Sequence, residues 1–474
     1  MKPPPPSTSA VRERRGRRLR GLAWALPVFR AGFWSFTTSP IEPPSIADDT
    51  ANRSARLATV LASSMRRAVL TLLAVAFLLP VQAAQADLKG SLTRYMRLAG
   101  SASGAYVYDI SAGKQIFAWR AGTPRILASN TKLFTSAAAL TRFGPEGTLG
   151  TEVLGDGQLA DDGVWRGNLY LRGGGDPTFG SSTFTRKFYG GGATVQQLAK
   201  LIDAAGIARV TGHVYGDESR HDSLRGGPDS GYGVSIWVGP LSALSYNRGL
   251  ATEGGSAFQT SPPAFAAARL DDALEARGIK VKGKPAARTA PGGLDVLASV
   301  DSPPMARIIK LMNKPSDNFF AEMLAKDVAM QVNGRGTTSA GAALIAGFAR
   351  RLGSGAQLVD GSGLARGNRA SPYRVVRLLR AMYKREQEQS DAYIDSLSIA
   401  GRDGTLVDRM RRGPARDRCR GKTGTLSDVS ALSGYCEVTS GNTWVYSILM
   451  NRVSPTGARV LQDRMLQKIA AQDP

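Results

Sequence analysis

The sequence predicts an α+β protein in which both ends of the chain form one antiparallel sheet and a β-rich domain is inserted between them. Two short strands, Ala105 to Ile110 and Gln115 to Trp119, are joined by a tight turn. The strand patterns Ala431 to Val438 and Thr443 to Met450 lie near the other end of the chain. Because sequential strands tend to pair as neighbours, these two groups predict one sheet whose halves are separated by an insertion.

Helical periodicity accounts for most of the remaining chain. The predicted helices are Asn130 to Phe143, Thr194 to Ala205, Met305 to Val332, Gly341 to Leu352, Pro372 to Lys384 and Ala458 to Ala471. The first is rich in alanine and stops at Gly144-Pro145. Short glycine-rich strands, including Asn168 to Leu171 and Val210 to Tyr215, occupy the predicted insertion.

The first 86 residues have the composition of an export leader. Residues 1–64 are basic and proline-rich, and we expect a disordered extension that arises from an upstream start codon. Residues 65–86 combine Met65-Arg66-Arg67, an apolar run from Ala68 to Val81 and the small residues Ala84-Gln85-Ala86. This order is typical of a secretory signal peptide, and the alternative for the apolar run is a buried core helix.

The net charge depends on that leader. The whole chain of 474 residues has a formal charge of +23. Twelve of its 61 basic and four of its 38 acidic residues lie in residues 1–86, so the remaining 388 residues carry +15. No basic block with interleaved aromatic residues remains there, which argues against nucleic-acid binding. We expect an exported protein, in the periplasm or extracytoplasmic envelope, whose charge favours peripheral association with anionic polymers or membrane surface.

Cysteine and histidine are scarce, which limits the chemistry available. Cys419 and Cys436 flank a predicted hairpin, so they form either a disulfide or two buried thiols. His213 falls in a strand pattern and His221 in a polar loop, so neither has a natural route into a Ser-His-Asp triad. The sequence contains no His-x-x-x-His spacing, and we expect neither a metal nor a cofactor.

A serine nucleophile can instead be served by a lysine, and Ser-x-x-Lys occurs from Ser111 to Lys114 and from Ser129 to Lys132. Two occurrences are close to the number expected by chance, so the position of each in the predicted structure must decide which one is functional. Ser111 lies in a hairpin turn, whereas Ser129 opens the alanine-rich helix and Lys132 follows one turn later on the same face. Free N–H groups at a helix start can stabilise an oxyanion, and burial there favours the neutral, proton-accepting lysine.

Two further motifs follow along the chain. Ser316-Asp317-Asn318 lies between Lys314-Pro315 and the predicted helix that includes Phe319, Met323 and Leu324, and the alternative interpretation is an N-cap with Asp317 near the helix start. Lys422-Thr423-Gly424-Thr425 ends a predicted strand. Glycine within a strand often marks the close approach of another backbone, and a lysine on the same edge offers a charge for a substrate carboxylate.

In this order the three motifs resemble those of the serine penicillin-recognising enzymes. Three more strings narrow the resemblance to the D-alanyl-D-alanine carboxypeptidase/endopeptidase family, the class C low-molecular-mass penicillin-binding proteins. They are Gly-Asn-Leu-Tyr-Leu-Arg-Gly-Gly-Gly-Asp-Pro-Thr at 167–178, Asp-Gly-Ser-Gly-Leu-Ala-Arg at 360–366 and Gly-Arg-Asp-Gly-Thr-Leu at 401–406. The resemblance implies a transpeptidase-like catalytic domain with a helical subdomain over 87–145 and 300–474, and an inserted domain over 146–299.

The resemblance also implies a role for each motif residue. Ser129 is the acylated nucleophile and Lys132 is its base. Ser316 relays a proton to the departing D-alanine, and Asn318 holds the substrate amide. Lys422 supports the proton network and attracts the terminal carboxylate of the substrate, and Thr423 and Thr425 bind that carboxylate or the acyl backbone.

The implied substrate site extends along the last motif. The backbone N–H groups of Ser129 and Thr425 would form the oxyanion hole, and the peptide would add to the strand. The side chain of the substrate's diamino acid would be framed by more distant residues, with Arg366 as a plain surface residue being the alternative for that position. The expected substrate-binding residues are Thr423, Gly424, Thr425, Leu426, Asp176 and Arg366.

By this resemblance the chain is a serine-type D-Ala-D-Ala carboxypeptidase, with D,D-endopeptidase activity also expected. Its substrates would be peptidoglycan stem peptides, and β-lactams would acylate and inhibit it. A β-lactamase or esterase of the same fold is the main rival, but the sequence lacks the Glu-x-x-Leu-Asn and Tyr-x-Asn patterns that would activate a deacylating water. A non-catalytic wall-binding protein is disfavoured because all five catalytic side chains are present.

Labelled penicillin distinguishes the two Ser-x-x-Lys sites. We expect the wild-type protein and Ser111→Ala to be acylated equally, and Ser129→Ala to remain unlabelled, because only Ser129 has a lysine placed as a base. Labelled protein resolved on a denaturing gel gives the readout. Persistent labelling of Ser129→Ala would assign the nucleophile elsewhere.

Overall fold

The computed structural model describes residues 87–473. The predicted extension, residues 1–64, and the predicted signal peptide, residues 65–86, lie outside the described residues. Between 87 and 473, no helix is both long and apolar enough to cross a membrane.

Seventeen strands occur in the described part of the chain, and most are short. They are β1 Ser103–Asp109, β2 Lys114–Trp119, β3 Arg125–Ile126, β4 Gly150–Gly155, β5 Gln158–Leu159, β6 Val164–Arg166, β7 Leu169–Arg172, β8 Arg209–Val210, β9 Val214–Asp217, β10 Lys280–Val281, β11 Ala286–Ala287, β12 Asp295–Asp301, β13 Arg369–Ala370, β14 Ser398–Ile399, β15 Cys419–Leu426, β16 Val429–Glu437 and β17 Thr443–Asn451.

The first described helix, α1, covers 87–98. The others are α2 Thr131–Phe143, α3 Ser182–Tyr189, α4 Val195–Ala204, α5 Pro262–Glu275, α6 Met305–Asn313, α7 Asn318–Asn333, α8 Thr338–Arg351, α9 Pro372–Tyr383, α10 Gln387–Asp395 and α11 Pro455–Ala470. Four of these helices, α1, α3, α5 and α10, were not predicted from the sequence.

The largest sheet joins the two ends of the described chain. Its strand order is β14-β15-β16-β17-β1-β2, and every neighbouring pair is antiparallel. Strand β1 pairs with β17 along its whole length, from Ser103 opposite Met450 to Asp109 opposite Trp444. The predicted α+β class, with one antiparallel sheet formed from both ends, is confirmed.

Helices cover both faces of this sheet, so its central strands are buried on both sides. On β17, Val445 and Leu449 pack into the hydrophobic core that contains α2 and α6 to α9. The alternate residues Trp444, Tyr446 and Ile448 pack into a second core that contains α1 and α11. This two-sided burial explains why β17 is a nearly continuous apolar run instead of an alternating pattern.

Strands β4 to β12 form two smaller sheets. A five-stranded sheet has the order β11-β9-β7-β4-β12, and a four-stranded sheet has the order β10-β8-β6-β5. Helices α4 and α5 share a separate hydrophobic core with these strands, around Val153, Leu198 and Leu270. Thr194 caps α4 with a reciprocal capping box through Gln197, which fixes where that helix begins.

The helix predicted from Met305 to Val332 is two helices in the structure. Helix α6 ends at Asn313 and α7 begins at Asn318. Between them, Ser316 has a φ of +65°, which a helix does not allow. Asp317 then caps α7 by accepting a hydrogen bond from Phe320 N at 3.1 Å. The helix start at this point agrees with the N-cap interpretation of Asp317.

The strand predicted from Val210 to Tyr215 is also divided. Val210 ends β8 in the four-stranded sheet, and Val214 begins β9 in the five-stranded sheet. His213 lies in the break, not within a strand, and its ring stacks on Tyr215 with centroids 5.2 Å apart. The apolar pattern predicted extended backbone correctly but carried no information on which sheet each half joins.

The two cysteines lie directly opposite each other on β15 and β16, and their sulfur atoms are bonded. Both side chains are fully buried against the core that contains α1 and α11. The bond closes the hairpin whose first strand carries Lys422-Thr423-Gly424-Thr425. It therefore restrains the base of the strand that ends at this motif.

We expect the bridge to be present in the purified protein and to stabilise it. Alkylation of unfolded protein without reductant should add no label, and alkylation after reduction should add two. Replacing both cysteines with serine should lower the free energy of unfolding by about 3 kcal/mol, because the unfolded chain regains the freedom of the closed loop. Two labels without reductant would show that the thiols are free.

Candidate active site

Ser129 lies in a short 3-10 turn, Ala128–Asn130, that leads directly into α2. The turn is held from two sides. Thr131 Oγ1 donates to Ala128 O at 2.9 Å, and Asn130 Nδ2 donates to Lys422 O at 2.9 Å. The second bond ties the turn to β15, so the turn that carries Ser129 and the last motif are fixed relative to each other.

Lys132 is one helical turn beyond Ser129 and is fully buried. Its Nζ donates to Ser129 Oγ at 3.1 Å, to Asn318 Oδ1 at 2.7 Å and to Ser362 O at 2.7 Å. Burial lowers the Lys132 pKa to about 8, although the carboxylates of Asp317, Asp360 and Glu322 oppose this shift. A lysine with this pKa exchanges a proton near neutral pH, as a general base must.

The Ser316-Asp317-Asn318 motif lies at the start of α7, where the predicted N-cap is present. Asp317 is the N-cap of α7 and also forms an ion pair with Arg248. Asn318, the first residue of α7, accepts from Lys132 through Oδ1 and donates through Nδ2 to Trp237 O at 3.1 Å. The cap therefore orients the first turn of α7 so that the motif faces Ser129.

Lys422, in the last motif, is fully buried, and its Nζ donates to Thr423 O at 3.0 Å. Burial lowers the Lys422 pKa well below its ordinary value, and the nearby charge of Lys132 lowers it further. Two residues along, a Cβ on Gly424 would lie 2.9 Å from Leu127 O and 3.0 Å from Ser129 N. Glycine is therefore required where β15 passes the turn that carries the nucleophile.

These elements enclose one cleft with a volume of about 1010 Å³. Lys132 and Lys422 lie buried beside it, within the protein. Most of the predicted site residues line the cleft directly: Ser129, Ser316, Asn318, Thr423, Gly424, Thr425 and Leu426.

Comparison with known proteins agrees with this geometry. The family model described as D-Ala-D-Ala carboxypeptidase 3 (S13) family matches residues 84–250 and 251–472. The chain belongs to this family. It is therefore a D-Ala-D-Ala carboxypeptidase, as the resemblance of its motifs implied.

Two curated carboxypeptidases are similar along most of their length. The carboxypeptidase DacB of Mycolicibacterium smegmatis is 30% identical over 364 residues, which are 74% of this chain and 76% of that protein. The D-alanyl-D-alanine carboxypeptidase of an Actinomadura strain is 29% identical over 455 residues, with 79% and 82% of the two chains covered. The fold is also that of penicillin binding protein 4 from Haemophilus influenzae, with a TM-score of 0.67, 20% identity and coverage of 82% and 99%.

A loop of the carboxypeptidase that the sequence analysis only quoted, residues 360–366, completes the surroundings of Lys132. Ser362 supplies the carbonyl that accepts from Lys132, and Ser362 N donates to Glu322 Oε1 at 2.8 Å. Asp360 accepts from Gly363 N at 2.7 Å and from Ala365 N at 2.8 Å. Burial raises the pKa of Glu322 to about 7. Two buried carboxyl groups thus hold the loop that contacts Lys132.

Two predicted substrate-binding residues, Asp176 and Arg366, are not among the residues that line the cleft. Asp176 is buried and accepts from Thr178 N and Thr178 Oγ1, both at 2.7 Å, so its carboxylate faces inward. Arg366 is exposed and forms a bidentate ion pair with Asp428, with N–O distances of 2.8 and 3.0 Å. These contacts do not test substrate binding, so both assignments stay predictions, and the surface alternative for Arg366 stays open beside its own.

The histidines lie away from this cleft. His221 is fully buried and contacts Asp327 Oδ1 through Nε2 at 2.8 Å. His213 lies beside Lys284 O, at 2.9 Å. Ser111 Oγ accepts from Thr443 N at 3.1 Å, in the β1–β2 turn. Among residues 87–473, no group of three or more His, Cys, Asp or Glu side chains is suited to a metal ion.

Sequence reasoning missed several residues of the site. Trp237 lines the cleft and offers its carbonyl to Asn318, but it lies in no recognisable pattern. Thr405, within the quoted string 401–406, accepts from Thr423 Oγ1 at 2.8 Å. Glu322 lies one turn after Asn318 on α7, and this spacing, together with an acidic residue on an apolar face, is the signal that could have identified it.

The Lys132 pKa predicts a pH dependence. Only the neutral amine accepts the Ser129 proton, so the rate of acylation by labelled penicillin should fall about tenfold for each pH unit below 8 and level off above it. Glu322→Gln removes a carboxylate that raises the Lys132 pKa, so its profile should be displaced to lower pH. Measuring acylation rates from pH 5.5 to 9.5 tests both. A flat profile, or an unchanged one in Glu322→Gln, would contradict this assignment.

Proposed function

We propose that the enzyme removes the terminal D-alanine from peptidoglycan stem peptides through an acyl-enzyme on Ser129, and that β-lactams inhibit it by acylating the same residue. The observation that carries this proposal is the contact of 3.1 Å between Lys132 Nζ and Ser129 Oγ, with the Lys132 pKa lowered to about 8. A buried amine beside a serine at the wall of a cleft is suited to activate that serine.

In the first step, neutral Lys132 takes the proton of Ser129 while Oγ attacks the carbonyl carbon of the penultimate D-alanine. The carbonyl oxygen gains negative charge and would be held by the N–H groups of Ser129 and Thr425. The position of Gly424 against Ser129 N supports this assignment, since it brings β15 beside the nucleophile. Asn318, which already contacts Lys132, would hold the amide of the bound peptide.

In the second step, the bond from carbon to nitrogen breaks and the departing amine needs a proton. Ser316 lines the cleft and would pass that proton from the lysine network, in which burial keeps Lys422 able to release one. Free D-alanine leaves, and water then hydrolyses the ester on Ser129. Each turnover consumes one water molecule and returns every protein group to its first state.

The outer edge of β15 supports binding of the peptide as an added strand. Strand β14 pairs only with Arg420 and Gly421, so β14 leaves the edge from Lys422 to Leu426 uncovered beside the cleft. An extended peptide can pair with such an edge through its backbone. Residues 65–86 would direct the enzyme to the cell envelope as a signal peptide, and the positive charge of the remaining chain would favour peripheral association there.

Mass spectrometry of two substrates tests the proposal. A pentapeptide that contains a diamino acid and ends in D-Ala-D-Ala should lose one alanine, and a cross-linked dimer should be cleaved if endopeptidase activity is also present. Ser129→Ala should cleave neither, because no acyl-enzyme can form, whereas Ser111→Ala should behave as wild type. Hydrolysis of β-lactams that far outpaces both cleavages would favour the β-lactamase alternative instead.

A further inference from the structure

The last helix of the enzyme brings an exposed arginine to the catalytic cleft. Arg459 lies near the start of α11, and it lines the same cleft as Ser129, Thr423 and Thr425. Its Nη2 donates to Thr425 Oγ1 at 3.2 Å. The guanidinium is therefore placed against the strand along which the substrate is proposed to bind.

The charge of Arg459 is not neutralised by an acidic partner in the described part of the chain, where no ion pair within 4.0 Å includes it. The other arginine of the cleft, Arg409, is paired with Asp463 at 2.7 Å and contacts Gln462 at 3.2 Å. Asp408 lines the cleft as well, without an ion pair to either arginine. Arg459 is thus available to an anionic ligand, and an arginine has five donors, more than its single contact with Thr425 uses.

The buried lysine cannot take this role by contact. The sequence assigned Lys422 to attract the terminal carboxylate, beside Thr423 and Thr425, but the Lys422 side chain is fully buried and its Nζ donates to Thr423 O. It can influence an anion only through its field. A carboxylate in the cleft needs donors that are accessible there, and Arg459 and the hydroxyls of Thr423 and Thr425 lie on that side of the strand.

We propose that Arg459 forms the carboxylate subsite of this enzyme and binds the free C-terminal carboxylate of the leaving residue together with Thr425. The subsite rests on the proposed function, since it needs a peptide on β15 with its scissile carbonyl at Ser129. The carboxylate lies one residue beyond that carbonyl, and Thr425 serves both points, through its N–H and its hydroxyl. Pro455 also lines the cleft, so the positive end of the α11 dipole adds to the attraction.

This subsite gives the enzyme a means to recognise a chain end. A peptide whose terminal carboxylate is converted to an amide keeps its backbone pairing along β15 but loses the charge that Arg459 recognises. A guanidinium–carboxylate pair with two hydrogen bonds is stronger than a bond between neutral groups, and its geometry is more selective. Arg459 therefore determines preference for the free acid without taking part in the proton transfers.

Two peptides that differ only at the C-terminus test the proposal. One ends in D-Ala-D-Ala as the free acid and the other as the carboxamide, and kcat/KM is measured for both. Arg459→Gln should lower kcat/KM for the acid by about 10-fold or more and leave the carboxamide within about twofold. Arg459→Lys should retain part of the preference, and Arg464→Gln, an exposed arginine on the same helix outside this cleft, should retain all of it.

An equal loss of kcat/KM on both peptides would mean that Arg459 only positions Thr425. No loss of kcat/KM on either peptide would mean that Arg459 does not contact the substrate. Either result overturns the proposal. Failure of the wild-type enzyme to release alanine from the free acid would refute the proposed function, not the subsite. In that case the subsite is tested by the rate at which labelled penicillin, which also carries a carboxylate, acylates the wild-type enzyme and Arg459→Gln. An unchanged rate in Arg459→Gln would overturn the subsite, and a loss of about 10-fold would support it.

Discussion

The amine of Lys132 is the point on which the catalytic structure depends. It is fully buried and contacts three separate segments, through Ser129 Oγ, Asn318 Oδ1 and Ser362 O. A charged ammonium is costly to bury, so the fold surrounds this one with acceptors and nearby carboxylates and still lowers its pKa to about 8. That compromise leaves an amine that can lose its proton near neutral pH.

The residues around this amine are held by a helix cap, a buried carboxylate and a glycine, features that are common in stable proteins. Asp317 caps α7 and so aims Asn318, while Glu322 holds the backbone of the loop that contains Ser362. The absence of a side chain on Gly424 lets β15 approach the turn before α2. Capping, loop support and close backbone approach are common in stable proteins, and here their combination places reactive groups within hydrogen-bond distance of one another.

Much of this arrangement could be predicted from the sequence, because its determinants are local. The Ser129 to Lys132 spacing fits one helical turn, and the apolar run of β17 together with the short strands joined by turns predicts the sheet. Other features depend on contacts between distant segments. Nothing local distinguishes Asp176, which is buried, from a carboxylate that faces substrate, and Arg459 lies in an unremarkable amphipathic helix. Only the packing of α11 beside β15 brings that arginine to the site.

The pairing of β1 with β17 also bears on when the molecule becomes competent during synthesis. Asn451, at the end of β17, contacts Ile126, just before the turn that carries the nucleophile, across 325 positions of sequence. Closing so long a loop is entropically costly and must wait for the C-terminal strands. A nascent chain that already contains Ser129 therefore lacks the strand that lies against it. Completion of the polypeptide, and not the appearance of the serine, sets the earliest moment at which acyl transfer can begin.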